Sequence, residues 1–534
     1  MKKKLLNLFL ASSVALSGTA LINPATAKGK AGNPPRLAKK IRSFDGTGHN
    51  AKNPNWGAAG INLNRASASV YTDGLSVPAG ATRPSPRLVS NTIGDQPVGT
   101  NIPSALNLTD MHTLWGQFID HDIDLTPVQM GATPELFPIP VPTGDPFFDP
   151  GASGTQIIPL TRSIFDPLTC STNPRQQKNV ITAWVDASLV YGSSKTQADG
   201  LRTFTGGKMK TTAGDLLPKD GTGSFVAGDG RVNENVALTA MHTLFVREHN
   251  RLCDEFAAAY PTLNDEELYQ KARNYVAALI QVITYNEYLP ALLGPDAMDK
   301  YKGYDKKVDP GIVNVFSTAA FRFGHSTVSD TLLRLDNDGN VIPAGNLDMK
   351  DAFFNPSLIT TYNDIGYLLK GQSAQVMQEL DPKLVSGLRN FLFGPPGAGG
   401  LDLFSLNVQR GRDHGLPSYN AFRAAYGLTP YTSFSELTSD TGLAGDLTTL
   451  YGTVDDLDVW VGILSEEHLP NASMGELGVA IVADQFERLR DGDSFWYTKT
   501  MTRQEAKAIA ATTLADVIKR NTQISNIADD VFHL

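Results

Sequence analysis

Cysteine is almost missing from this chain: Cys170 and Cys253 are the only two in 534 residues. A protein of that size with so few is not stapled by disulfides, and a count of two does not establish a bridge. Cys253 falls on a helical pattern and reads as a small buried hydrophobe. Basic excess is missing too. There are 46 Lys and Arg against 55 Asp and Glu, a net charge of −9, which argues against a nucleic-acid surface. Beyond the N-terminus no run reads as apolar enough to cross a bilayer. Repeats, low-complexity tracts, heptads and the HExxH zinc spacing do not occur, and strand patterns are sparse. The expected fold is therefore mainly α, with few short strands. A hydrophobic content of 41% supplies a sizeable core, and 48 glycines with 32 prolines predict long ordered loops.

Lys2 to Lys4, a broken apolar stretch from Leu5 to Leu21, and Ala25-Thr26-Ala27 before Lys28 form an export signal over residues 1–27. An uncleaved anchor is the alternative. The mature chain, 28–534, is then secreted or periplasmic. Residues 28–105 lack periodicity and read as an ordered arm wrapped on a larger body through Trp56, Tyr71 and Leu88. A helix is predicted from near Asn107 to His121, and the prolines of 126–165 predict loop. Over 235–259, Leu238, His242, Phe245, His249, Leu252 and Phe256 share one helical face. Its two histidines are two turns apart, roughly 10.5 Å, too far to share a metal. Both read as core histidines with hydrogen-bond partners. Helix continues over 264–294. Asp336-Asn337-Asp338-Gly339-Asn340 has its glycine too early for an EF-hand loop and reads as a plain turn. One more helix is predicted from Arg503 to Lys519.

Two stretches carry chemistry. In Trp115-Gly116-Gln117-Phe118-Ile119-Asp120-His121-Asp122-Ile123-Asp124, helical spacing puts Gln117 and His121 on one face. Asp122 continues the apolar stripe of Met111, Leu114, Trp115 and Phe118, where a carboxylate is costly unless paired or metal-bound. A capped helix end with solvated acids is the bland alternative. In Ile181 to Gly192, Thr182, Asp186 and Ser188 sit at even spacing, so an extended segment puts their oxygens on one side. With a backbone carbonyl and Asp122 the donors are all hard oxygen, which suits Ca²⁺ rather than zinc or copper. A strand of mixed polarity is the alternative. Arg231 has its own: a helix ion pair with Glu234, three residues on.

Together these residues resemble the animal-type haem peroxidases of the peroxidase–cyclooxygenase superfamily, with their lactoperoxidase-like and myeloperoxidase-like enzymes, in a bacterial secreted form. The matching segments run in order from Arg42 to Tyr497. They include Gly116 to Asp122, Val185 to Gly192, Arg231-Val232-Asn233-Glu234, Phe321-Arg322-Phe323-Gly324-His325, Asn407 to Gly415 and Arg488 to Asp493.

The resemblance implies one large helical haem domain. It implies reduction of hydrogen peroxide with oxidation of halides, thiocyanate or small phenols, through a ferryl intermediate. His121 would be the distal histidine that moves the peroxide proton, Arg231 the cation that steadies developing charge, and Gln117 the holder of a distal water or halide. His325 would bind the iron of haem b and Asn407 would accept a hydrogen bond from its far nitrogen. Arg322 would pair with a propionate. Residue chemistry alone leaves His249 and His414 as equal candidates for the iron. Asp120 and Glu234 match the acids that form ester links to the haem. The family's methionine link falls at Asn235 and should be absent, which disfavours chloride as donor. Calcium would take Asp122, Thr182, the Trp184 carbonyl, Asp186 and Ser188.

Two other functions compete. Fatty-acid dioxygenases of the same superfamily carry a radical-forming tyrosine three residues before the proximal histidine; Arg322 stands there in this chain. A calcium-stabilised binding protein without chemistry would lack His121, Arg231 or His325, and all three are present.

Overall fold

The computed structural model describes residues 41–131 and 134–534. The export signal and the start of the arm lie outside the described residues. One continuous hydrophobic core runs from Leu63 to Phe532, so the length does not divide into separate cores. Helices dominate. Among the described residues the strands are three antiparallel pairs of two residues each, one of them, Ile139–Pro140 with Ile157–Ile158, inside the proline-rich loop.

Four helices and two short turns frame the interior. Helix α1 spans Pro86–Ile93 and lies within the arm, where no helix was expected. Helix α2 spans Asp110–Ile123 and buries Met111, Leu114, Trp115 and Phe118 as its apolar spacing predicts. Helix α3 is one turn, Ser188–Tyr191. Helix α4, Val236–Ala259, packs against α2, with all six residues of the predicted face buried. His249 meets the Tyr191 hydroxyl at 2.8 Å and the Gly207 carbonyl at 2.9 Å, while His242 packs edge-on against Phe118. Two 3₁₀ turns, Gly230–Asn233 and Ala320–His325, close the frame.

Several expectations change. Residues 182–187 are not extended: Ala187 has φ 65°, which turns the chain out of a strand and into α3. Leu88 is 42% exposed and anchors nothing. Tyr71 is buried as expected and donates to the Arg175 carbonyl at 3.3 Å, and the arm is held further by its backbone and by Arg42. Trp184 donates its indole N–H to the Gly46 carbonyl and lies so close to Gly57 that a Cβ there would sit 2.5 Å from the ring. Arg42 pairs with Asp493 at 2.6 Å in full burial, 451 residues away.

Helix α5, Asp265–Ile283, starts on an Asn264/Glu267 capping box and continues through a π turn, Thr284–Tyr288, into Leu289–Leu293. Contrary to the sequence expectation, Asp265–Leu293 is long and apolar enough to cross a bilayer, but 78% of its apolar window is buried inside the fold. The predicted helix 503–519 is two, α6 (Arg503–Ala510) and α7 (Leu514–Asn521), because Thr513 and Asp516 form a capping box that starts a new helix. The Asp336–Asn340 segment is the plain turn expected, closed on the Asp336 carboxylate. Both cysteines are free, Cys253 in full burial.

Glu287, in the π turn, has its carboxylate on the first amide of α7. Burial pushes its pKa from 4.5 up to about 8. Ionised burial is therefore a penalty that builds as pH rises from 4.5 to 8 and is absent below. Glu287→Gln is expected to raise Tm at pH 8.5 and to leave it unchanged at pH 4; equal shifts at both would contradict the assignment.

Candidate active site

A cavity of about 380 Å³ lies between α2 and the Ala320–His325 turn. Gln117, Asp120 and His121 line it from α2, Arg231 and Glu234 from the Gly230–Asn233 region, and Arg322 and His325 from the opposite side. These residues come from three distant parts of the chain. Neither His249 nor His414 lines the cavity. His414 is tied to Thr318, Asn314 and Ser163 at 2.8–2.9 Å. Geometry thus separates three histidines that residue chemistry left equal.

Register on α2 explains the facing. Asp122 lies on the side away from the cavity, where Oδ2 accepts the amides of Asp186 and Ala187 at 3.0 and 3.1 Å. Its Oδ1 accepts from the Leu189 amide and the Ser188 hydroxyl, both at 3.1 Å. His121, one residue earlier, must then turn about 100° away, toward the cavity. Burial first, and Arg231 second, lower its pKa well below 6.5, so the ring is neutral.

Arg231 is gripped by Asp229. That carboxylate caps the 3₁₀ turn through the Arg231 amide (2.8 Å) and takes Nε and Nη2 of the guanidinium at 2.9 and 3.0 Å. Nη1 reaches Asp120 at 3.3 Å and Nη2 the Asp124 carbonyl at 2.9 Å. Burial opposes the charge, but Asp229, with Asp120 and Glu234 adding to it, outweighs burial and raises the Arg231 pKa. The Arg231–Glu234 ion pair is not formed. Asp229 was not singled out from sequence; its signal is the Asp-x-Arg spacing at the head of a capped turn.

Glu234 instead accepts from Gln117 Nε2 at 3.0 Å, and its Oε2 stands 3.7 Å from His121 Nε2. Gln117 Oε1 accepts from Asn235 at 2.9 Å, so both ends of that amide are engaged by protein. Burial raises the pKa of Glu234 and, with Asp124 adding to it, that of Asp120.

Across the cavity, burial and then Arg322 push the His325 pKa down to about 3. A neutral imidazole is what a metal ligand requires. Asn407 Nδ2 faces His325 Nδ1 at 2.7 Å, and its Oδ1 accepts from Arg322 at 3.4 Å. The amide nitrogen, not the oxygen, therefore faces the ring. A Cβ added at Gly324, beside His325, would meet nothing within 4 Å and would project into open space. Opposed neutral imidazoles, two guanidinium groups and an open floor fit a planar, anionic iron macrocycle.

The oxygen cluster behind α2 is separate from the cavity. Asp186 Oδ1 accepts from the Ser188 amide and the Thr182 hydroxyl, at 3.0 and 3.2 Å. Its Oδ2 is buried with no hydrogen-bond partner. Burial raises the pKa of both Asp122 and Asp186; the Asp186 charge adds to the rise at Asp122, while Arg42 and Arg273 oppose it at Asp186. Among the described residues no group of three His, Cys, Asp or Glu side chains assembles a metal site.

A family model for animal haem peroxidase matches residues 41–532. This chain belongs to the animal haem peroxidase family. Peroxinectin A of Dictyostelium discoideum is 36% identical, over 93% of this chain and 96% of its own length. The solved Peroxidase A of the same organism superposes with a TM-score of 0.85 at 36% identity, covering 93% of this chain and all of that one. The fatty acid alpha-dioxygenase of Oryza sativa shares the fold, with a TM-score of 0.76 at 22% identity over 95% of this chain and 86% of its own. The chain is thus a haem peroxidase, a helical oxidoreductase acting on hydrogen peroxide.

The buried Asp229–Arg231 pair holds a cation against the cavity. Asp229→Asn removes the nearer of its two carboxylate partners and is expected to cost up to about 3 kcal/mol of stability. Denaturant unfolding measures this; a loss no greater than that of an exposed-pair variant such as Lys195→Ala would contradict it.

Proposed function

We propose that this haem peroxidase is exported through residues 1–27 and oxidises bromide, iodide, thiocyanate or small phenols with hydrogen peroxide. The observation that carries the reading is the opposition of His121 and His325 across one cavity with Arg231 beside the former. Bound haem supplies the redox iron. His325 is the residue that would hold it, neutral because it is buried. Arg322 would take a propionate, and Asn407 would fix the ring of His325, with its amide turned so that the oxygen meets an Nδ1 proton. Asp120 and Glu234, which line the same cavity, would be the acids that form ester links.

His121 is deprotonated, so its Nε2 can accept a proton from hydrogen peroxide and return it to the oxygen that leaves as water. Arg231, fixed by Asp229, stabilises the negative charge on the departing oxygen. Gln117, held by Glu234 and Asn235, has one N–H left for a distal water or halide. Asn235 in place of methionine leaves no sulfonium link, which disfavours chloride. Arg322 in place of tyrosine disfavours the dioxygenase reaction. Steady-state assays on purified holoprotein are expected to show bromide, iodide, thiocyanate and phenol oxidation with chloride far slower. Chloride oxidation at the bromide rate, or oxygen uptake with a fatty acid and no peroxide, would overturn the reading.

Ca²⁺ would sit at the oxygen cluster of Asp122, Thr182, Asp186, Ser188 and the Trp184 carbonyl. Support comes from two buried carboxylates and the unpartnered Asp186 Oδ2. The ion would tie the loop to α2, next to His121. Chelation is expected to shift the haem absorption spectrum and reduce turnover, both restored by Ca²⁺ and not by Mg²⁺; an unchanged spectrum would refute the site.

A further inference from the structure

Asn235 stands where helix α4 begins. Its Oδ1 accepts the Leu238 amide at 2.9 Å. That amide lies in the first helical turn and has no acceptor within the helix, so Oδ1 is committed to it. A planar amide fixed at one end is fixed at the other. Nδ2 can only donate, and it donates to Gln117 Oε1 at 2.9 Å. Gln117 must then present Nε2 to Glu234, which accepts at 3.0 Å. The same Glu234 oxygen faces His121 Nε2 at 3.7 Å.

The direction of every bond in this series follows from one helix cap. Asn235 is 8% exposed, so water does not substitute freely for its donor. We propose that Asn235 is a positioning residue of the distal pocket: the α4 cap fixes which way the Gln117 amide points and thereby holds the Glu234 carboxylate against His121. The inference rests on the peroxidase reading of that pocket.

Asn235→Asp tests it, because aspartate caps a helix as well as asparagine and has nearly the same shape, but cannot donate. Gln117 would have to turn its N–H₂ toward residue 235 and its carbonyl toward Glu234, where two acceptors repel. Asn235→Ala removes both cap and donor. If Asn235 is only a cap, Asn235→Asp keeps the wild-type Tm, rate and haem retention, and Asn235→Ala alone is impaired.

If it positions Gln117, Asn235→Asp keeps the wild-type Tm yet slows reaction with hydrogen peroxide about tenfold, the rate equivalent of one ordinary hydrogen bond. It also raises the fraction of haem released by acid extraction after peroxide turnover. In a Gln117→Ala background the same substitution is expected to cost less than about twofold, since the two residues act as one unit. Wild-type behaviour of Asn235→Asp in both rate and extraction, or an undiminished loss in the Gln117→Ala background, overturns the proposal. Failure of the wild-type holoprotein to consume peroxide would instead overturn the reading beneath it.

Discussion

The grip on the Asp122 carboxylate sets the site. Three backbone amides and a hydroxyl from residues 186–189 converge on it. A helix pinned at one side chain cannot rotate about its axis, so every other side chain on α2 takes a fixed bearing. His121 and Gln117 face the cavity because Asp122 does not. A buried acid is a costly way to fix a helix, and here the cost is met by donors on a loop shaped for them by the positive φ of Ala187.

Charge is arranged with the same economy. Arg231 is the strong cation at the cavity wall, and Asp229 both caps its turn and clasps its guanidinium. His121 and His325 are neutral through burial, and each has a guanidinium that adds to the effect. Asp120 and Glu234, whose pKa values burial raises, border the same space. The cavity is therefore a place where negative charge is welcome beside Arg231 and where burial works against charge elsewhere, before any cofactor is considered.

Much of this was legible in the sequence, for reasons that differ by element. The faces of α2 and α4 were readable because helical burial imprints a 3.6-residue period. The residues that line the cavity were readable as an ordered set only through resemblance; spacing alone could not choose His325 over His249 and His414. That choice depends on contacts some 80 to 250 residues apart, such as Asn407 to His325 and His414 to Ser163. Residues 182–187 were misread as extended because alternation of oxygen-bearing side chains occurs in irregular loops as well as in strands. The break at 511–513 was missed because helix periodicity carried across a capping box. Asp229 escaped notice because its contact with Arg231 is made within a capped 3₁₀ turn, whose start no periodic run of apolar residues announces.

The clasp of the arm around Trp184 has a bearing on how the molecule comes to be assembled. Residues 42–57 are made early, yet Trp184, Arg273 and Asp493, which receive them, follow at up to 451 positions' distance. Trp184 and Arg273 can receive part of the segment once they are made, but the carboxylate that pairs with Arg42 follows only at Asp493, and closing so long a loop is slow. The clasp is therefore completed in steps, and its last ion pair closes only when Asp493 has been made.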